Sequence, residues 1–564
     1  MKLSKEKTIF FSSIIDFLFF PVWKESNLKI CFLNDKLNSS MIVKLLLFNR
    51  FKKINQILGE FNIKNVNAYI FCRKKSCSLA FKMTKKLLFN DVKKSLLGRT
   101  HPLLPMRIEI AKILASLIEN VLKKIIFVDK LNFPEKTLFL TKEEFAIYSL
   151  IRNDLKSISL PRIEIKNKFL SFRFKNFFFI KKYFGFIKQI IFCLDIPNSK
   201  RICDNINIEV ANCFFKNNVI KKYEIYSKSK TPTQLYLNKN NIFSNFKNLW
   251  DKKILLALSK DLKIHFAINK CPVLKKNPDT NFIFDSLLLR LPLVNFWTTF
   301  LKIKKVKSFI TFEPNSFLNT IIAFRGGHLK IETREYQYSF KNFASPFMSS
   351  CNETKVIVDP IFKKIYNPFF NDACKFNYKN NLFSLRKNES IKIQKLSDLK
   401  WIVYFDETIE SSMFGLNNLT EHLNEIKKIL DFLHSNKDYG LLLKPQFKKN
   451  SILCYLENNE SYMDLNREKR LIELVRGTNR NSITPFSVSH IGYVFVGKMY
   501  GGSAAYEAAT HRKKLALIND KKTITPWQCE LKKAHCIYKN IDHFLFDLQH
   551  EKVCSLKKPI FQYL

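Results

Sequence analysis

Polar groups suited to binding a ligand recur at three places in the C-terminal third of the sequence, each directly after an apolar run. Asp406, Glu407 and Thr408 follow WIVYF, while Lys444, Pro445, Gln446 and Lys448 end and follow YGLLL. Gly501, Gly502, Ser503 and Glu507 follow YVFV. The third group is the most informative. The chain has 12 glycines in 564 residues, yet Gly497, Gly501 and Gly502 gather between a strand-like run and the alanine-rich segment SAAYEAA. A strand, a glycine turn and a helix start form the layout that aims backbone N–H groups at phosphate. Ser503 is suited to cap that helix, and Glu507 lies four residues on, over the same face. A carboxylate there can accept from two ribose hydroxyls, and Lys444 would add a point charge for a diphosphate.

Presenting these groups together requires that the apolar runs be neighbouring strands. Residues 401–405, 439–444, 493–496 and 515–518 have the length and composition of strands. Between them, residues 416–433 place Leu419, Leu423, Ile426 and Ile429 at helical spacing, and 467–475 suits a second helix. Strands alternating with helices imply a mainly parallel sheet flanked by helices, and such sheets bind ligands at the carboxyl ends of their strands.

Upstream the pattern is looser. Residues 28–33 and 68–72 read as strands, with a helix over 48–61 between them. Residues 190–196 read as a strand and 206–215 as a helix, followed by a turn-rich stretch at 227–245. Helical spacing returns at 249–262 and 282–302. The run VKSFITF (306–312) reads as a strand, with Glu313, Pro314, Asn315 and Ser316 as a turn and cap. A helix over 317–324 then ends at Arg325-Gly326-Gly327, and the next strand begins at 328–331. Residues 344–390 show little periodicity and read as a linker with extended pieces. The expected organisation is therefore an N-terminal α/β region over 1–343, of which 1–200 is a candidate subdomain, then a linker over 344–395 and a Rossmann-like domain over 396–564.

Hydrophobic residues make up 46% of the chain, enough for substantial cores. The 13 cysteines are scattered without CxxC spacing, which suits a reducing compartment better than a disulfide framework and gives no zinc signature. The net charge of +47 is carried largely by Lys, which with Asn, Ile and Phe marks AT-rich coding, so it speaks for a general attraction to anionic surfaces more than for dedicated nucleic-acid binding. The apolar stretch 9–23 is interrupted by Asp16 and Pro21, falls short of the ~20 residues of a membrane span, and lacks a small-residue cleavage pattern. Residues 169–194 are aromatic-rich but carry Arg173, Lys175, Lys181, Lys182 and Lys188; they suit either a membrane surface or a core strand and helix with solvated lysines. Neither a GxxxxGK[ST] loop, nor a GxGxxG turn after a strand, nor a GxSxG elbow, nor HExxH is present.

The segment GGSAAYEAATHRKKLALIND resembles the C-terminal motif of GT-B glycosyltransferases, above all those of surface-carbohydrate and capsular polysaccharide biosynthesis, with a similar Ser and Glu arrangement in teichoic-acid glycerophosphotransferases. FDET (405–408) and LLLKP (441–445) are similar to that group in order and spacing, and SFITFEPNS with EYQYS (335–339) looks like the last βαβ unit of an N-terminal GT-B domain. The resemblance covers residues 306–548. It implies two Rossmann-like domains facing each other across a cleft, and transfer of a sugar or polyol phosphate from a nucleotide-activated donor to a glycan or lipid-linked acceptor. It implies donor contacts from Lys444, Gly501, Gly502, Ser503, Ala504 and Glu507, with Asp406 and Glu407 at the neighbouring strand end. No cofactor or metal is expected. An inverting enzyme needs a base from the N-terminal half, for which Glu313 is the first candidate, the competing reading being a helix-capping or solvated Glu. The sequence departs from the family at His511-Arg512-Lys513 and Gly497-Lys498, positions that bear on donor identity. The expected location is the cytoplasm, with peripheral contact at the inner face of an anionic plasma membrane. The alternatives are a basic, maturase-like nucleic-acid-binding protein and a GT-B-shaped scaffold without catalysis.

Overall fold

A computed structural model of the chain describes residues 7–12, 28–40, 50–63, 65–86, 103–156, 163–166, 206–209, 306–311, 331–337, 345–349, 352–358, 360–366, 374–378, 399–406, 413–416, 419–444, 459–474, 485–500, 503–509, 514–523 and 528–556, with isolated positions between them. These residues build three parallel sheets. The first is four-stranded, in the order β2-β1-β5-β6. It comprises β1 (Lys7–Phe11), β2 (Leu28–Phe32), β5 (Glu135–Phe139) and β6 (Ile163–Lys166). A small antiparallel hairpin, β3 (Asn62–Ile63) and β4 (Val66–Asn67), precedes the long helices α1 (Ala68–Lys86) and α2 (Leu103–Lys130); α3 (Lys142–Lys156) links β5 to β6. Ile9, Phe11, Leu28, Ile30, Phe32 and Phe139 form the core of this unit. Burial on both faces is why these strands read as continuous apolar runs and not as alternating ones.

The second sheet has five strands in simple sequence order, all parallel. They are β7 (Ile206–Glu209), β8 (Val306–Thr311), β9 (Glu332–Tyr336), β10 (Thr354–Ile357) and β11 (Lys375–Tyr378). Two of them fall inside the stretch expected to be a linker with extended pieces.

The third sheet positions the candidate site. It has six strands: β12 (Lys400–Phe405), β13 (Tyr439–Lys444), β14 (Leu471–Glu473), β15 (Val494–Lys498), β16 (Lys514–Ile518) and β17 (Ile537–Tyr538). Their order is β14-β13-β12-β15-β16-β17, all parallel. The chain steps outward from β12 to β14, returns to the other side of β12 and steps outward again. This is the doubly wound Rossmann order, whose ligand crevice lies where the direction reverses, at the carboxyl ends of β12 and β15. Ile402, Tyr404, Leu441, Leu443, Val494 and Val496 bury one face against α4 (Leu419–Ser435) and α8 (Ile541–Gln549). Trp401, Val403, Phe405, Leu442, Phe495 and Leu517 bury the other, together with α6 (Ser503–Ala508) and with Val356, Ile357 and Phe362 of the second unit. The remaining helices of the third unit are α5 (Glu460–Arg467) and α7 (Gln528–Lys533).

Several local expectations are corrected. Residues 68–72 open α1 and are not a strand: a short apolar run cannot be told from a buried helix start by periodicity, and the burial continues at Cys77, Leu79 and Ala80. The helix expected over 48–61 does not form. Asn38 takes the place of a helical partner, its side chain donating to the Ile54 carbonyl at 2.7 Å and accepting from the Ile54 N–H at 3.0 Å; residues 52–57 are irregular and only a 3-10 turn forms, at Leu58–Glu60. Residues 206–209 are a strand because they pair with β8. The helix expected over 467–475 stops at Arg467, since Lys469 takes a left-handed φ of 58° and Leu471–Glu473 pairs with β13. The strand expected from 328 starts at Glu332. Residues 190–196 and 317–324 lie outside the described residues.

Candidate functional site

At the carboxyl end of β12 the Asp406 N–H donates to the Lys444 carbonyl at 3.0 Å, so the two strand ends are tied together. The Asp406 carboxylate turns into the protein, only 6% exposed, and accepts from His422 of α4. One turn further along α4, Glu425 faces the other imidazole nitrogen at 3.7 Å. Glu425 also accepts from Lys498, the last residue of β15, and Lys498 donates on to Asp520, just past the end of β16, at 3.1 Å. Asp406, His422, Glu425, Lys498 and Asp520 therefore form an alternating chain of charge across the carboxyl edge of three adjacent strands, β12, β15 and β16. At the edge of the network Lys521 donates to Glu421 at 2.6 Å.

His422, Glu425 and Lys498 are each held in the charged form by their neighbours. Burial alone would discharge His422, but its hydrogen bonds to Asp406 and Glu425 outweigh that and push the imidazole up to about 9. Burial would raise the Glu425 carboxyl; His422 and Lys498 hold it below its ordinary value. Burial would lower the Lys498 ammonium, and Glu425 and Asp520 keep it above. His422 thus carries its proton at neutral pH and is a fixed cation, not a base. With Asp406, Glu425 and Asp520 against His422 and Lys498, the five groups sum to −1. Asp406 Oδ2 is buried and has no hydrogen-bond partner among the described residues. Also among the described residues, no group of three or more His, Cys, Asp and Glu is arranged to hold a metal ion.

The N-terminal unit reaches the same edge at two places, after β12 and after β15. Residues 413–416, on the connection from β12 to α4, pair backbone to backbone with residues before α1: the Leu58 N–H donates to the Met413 carbonyl at 2.8 Å and the Gly59 N–H to the Gly415 carbonyl at 3.0 Å. Asp35 accepts from the Met413 N–H at 2.8 Å, and Phe414 packs edge-on against Phe127 of α2 at 5.5 Å. Beyond β15, Arg73 of α1 donates to the Tyr500 hydroxyl. A glycine is needed at position 59, because a Cβ would lie 1.9 Å from the Leu416 carbonyl oxygen.

Of the residues singled out in the sequence, Asp406 and Lys444 lie at the ends of the paired strands β12 and β13, and Ser503, Ala504 and Glu507 lie on α6 after β15. All belong to the carboxyl side of three neighbouring strands. Ala504 packs half-buried on the core, Lys444 is half-buried, and Glu507 is buried at 5% exposure. Glu313, Glu407, Gly501 and Gly502 lie outside the described residues. His422, Glu425 and Asp520 were not picked out from sequence, and Lys498 was noted only as a departure from the family pattern. Their signal is present but faint: a His and a Glu three apart on one helix face, and a Lys and an Asp closing successive apolar strands.

No family model matches the chain, and no curated protein matches it. Among solved structures 15 chains match. One is a point mutant of S. aureus TarM, crystallised with Fondaparinux, alpha-GlcNAc-glycerol and UDP; it is 12% identical, with 48% of this chain and 51% of that chain covered, at a TM-score of 0.29. The chain spans about half the length of that structure. A likeness of this size carries no weight for the site, which rests on its own geometry. No described helix is long and apolar enough to cross a membrane.

Proposed function

We propose that the chain is a glycosyltransferase-like enzyme of GT-B type, moving a sugar or a polyol phosphate from a nucleotide-activated donor to a glycan or lipid-linked acceptor. The observation that carries this reading is the doubly wound order of the third sheet, with Asp406, His422 and Lys498 gathered at its point of reversal. Contacts from the N-terminal unit after both β12 and β15 support a donor crevice closed by a second domain. The charge network sums to −1 and is mostly buried, so it would serve as a rigid floor and not as the phosphate counter-charge. That role would fall to Lys444 at the end of β13, with Glu507 of α6 as the ribose contact. Leaving-group stabilisation would then come from preorganised donors and not necessarily from a metal. Glu313 remains the candidate base on the acceptor side.

A thermal-shift screen against nucleotides and nucleotide sugars tests the reading. One nucleotide class should raise the melting temperature, and Lys444→Ala should reduce that shift without lowering the melting temperature of the free protein. Absence of a shift with every nucleotide, together with salt-dependent RNA binding, would favour the nucleic-acid alternative. A nucleotide shift with no transfer to any acceptor would favour a scaffold.

A further inference from the structure

Helix α1 carries Arg73, Lys74 and Lys75 and no acidic residue along its length. Its Arg73 crosses to the third sheet, where Nη1 donates to the hydroxyl of Tyr500, two residues beyond the end of β15. Tyr69 braces the arrangement from the same helix. Its ring packs edge-on against Tyr500 at 5.8 Å, and the Arg73 guanidinium lies 5.8 Å from its centroid. The carboxylate of Glu119, on α2, is 3.7 Å from Arg73 Nε but 2.9 Å from Lys123 Nζ, and Lys123 also sits over the Tyr69 ring at 4.1 Å. Arg73 and Lys123 against Glu119 leave these three side chains at +1, beside a strand end whose own network sums to −1. The Arg73 side chain keeps 34% of its exposure, so its guanidinium is oriented but not sealed.

We propose that Arg73 is a donor-binding residue contributed by the N-terminal unit, its guanidinium contacting the diphosphate of a nucleotide-activated donor at the β12/β15 reversal. The inference rests on the donor-site reading above. A planar guanidinium fork matches two phosphate oxygens at once, which a lysine in the same place does not. Two tyrosines orient the guanidinium, and Glu119 is shared with a second cation. The contact would also make donor binding depend on the docking of α1 against β15.

The test is calorimetric titration of the full chain with UDP, GDP, ADP and CDP and with the four matching nucleosides. For the nucleotide that the wild type binds, Arg73→Gln should weaken the diphosphate about tenfold or more and leave the nucleoside unchanged, with Arg73→Lys in between. Tyr500→Phe, which removes the hydroxyl that accepts from Arg73, should keep the preference for diphosphate over nucleoside; this variant and Arg73→Lys decide the matter if Arg73→Gln does not fold. Diphosphate affinity unchanged in the Arg73 variants, or lost in step with nucleoside affinity, overturns the assignment while leaving the donor site standing. A wild type that binds none of the eight ligands overturns the donor site and this inference together.

Discussion

Between Asp406 and Glu425 the buried His422 imidazole keeps its proton well past neutrality, and stability must follow that proton. Its folded value of about 9 lies above its ordinary 6.5, so the stabilisation is complete below about pH 6.5 and is lost as pH rises toward 9. Urea unfolding of wild type and His422→Gln should therefore differ by a few kcal/mol, in order of magnitude, near pH 6, and the gap should close as pH approaches 9. A gap that stays constant with pH would show that the imidazole is not charged in the fold. Glu425 works in the opposite sense: its carboxyl is held below its ordinary 4.5, so its contribution is present above that pH and fades in acid. Lys498 sits between two carboxylates, and Lys498→Met would take its ammonium from both, leaving Glu425 with His422 alone among the cations named here. That substitution should cost about 3–5 kcal/mol in the same assay. Lys428→Met, which removes an exposed pair with Asp542 at 2.6 Å, should cost less than about 1 kcal/mol.

At the scale of elements, β12 and β13 are held by an apolar fit as well as by their ladder. Gly440 lies opposite Trp401, and a Cβ there would come within 2.6 Å of the indole ring, which is itself only 3% exposed. Gly440→Ala should therefore destabilise the third unit by about 1–3 kcal/mol through displacement of Trp401, visible as a change in tryptophan fluorescence along with the lower midpoint. Four of the six strands of this sheet, β12, β13, β15 and β16, were legible because each is a short apolar run closed by a polar residue, and α4 because its apolar positions keep a clean helical period; β14 and β17 were not. Two things escaped sequence reasoning for physical reasons. Arg470 spends its guanidinium on the Leu433, Asn436 and Tyr439 carbonyls, capping the end of α4 and fixing β14 at the sheet edge; nothing local in 467–475 announces that. Asn38 likewise sets the backbone at Ile54 from 16 residues away. At the site, Asp406 and Lys444 were found because they directly follow strands, whereas His422 and Glu425 acquire meaning only once α4 is laid across the strand ends.

Over the whole molecule, the N-terminal unit meets the third sheet where that sheet reverses direction. The backbone pairing of Leu58 and Gly59 with Met413 and Gly415 forms one side of this junction, and Arg73 with Tyr500 the other. Gly59→Ala puts a methyl group against the Leu416 carbonyl, which cannot rotate away as a side chain could. In hydrogen-exchange mass spectrometry it should speed exchange in peptides covering 57–60 and 413–416 while leaving 439–444 protected. Faster exchange throughout β13 would instead mean that the third sheet depends on the junction for its own fold. The central claim, that the carboxyl ends of β12, β13 and β15 form a nucleotide site, is tested most directly by photo-crosslinking with azido-nucleoside diphosphates followed by peptide mapping. The expected result is saturable labelling, competed by the unmodified nucleotide, confined to peptides that contain residues 69–73, 406–416, 444–448 or 498–507. Labelling that cannot be competed, or that maps to lysine-rich surface elsewhere, would contradict it.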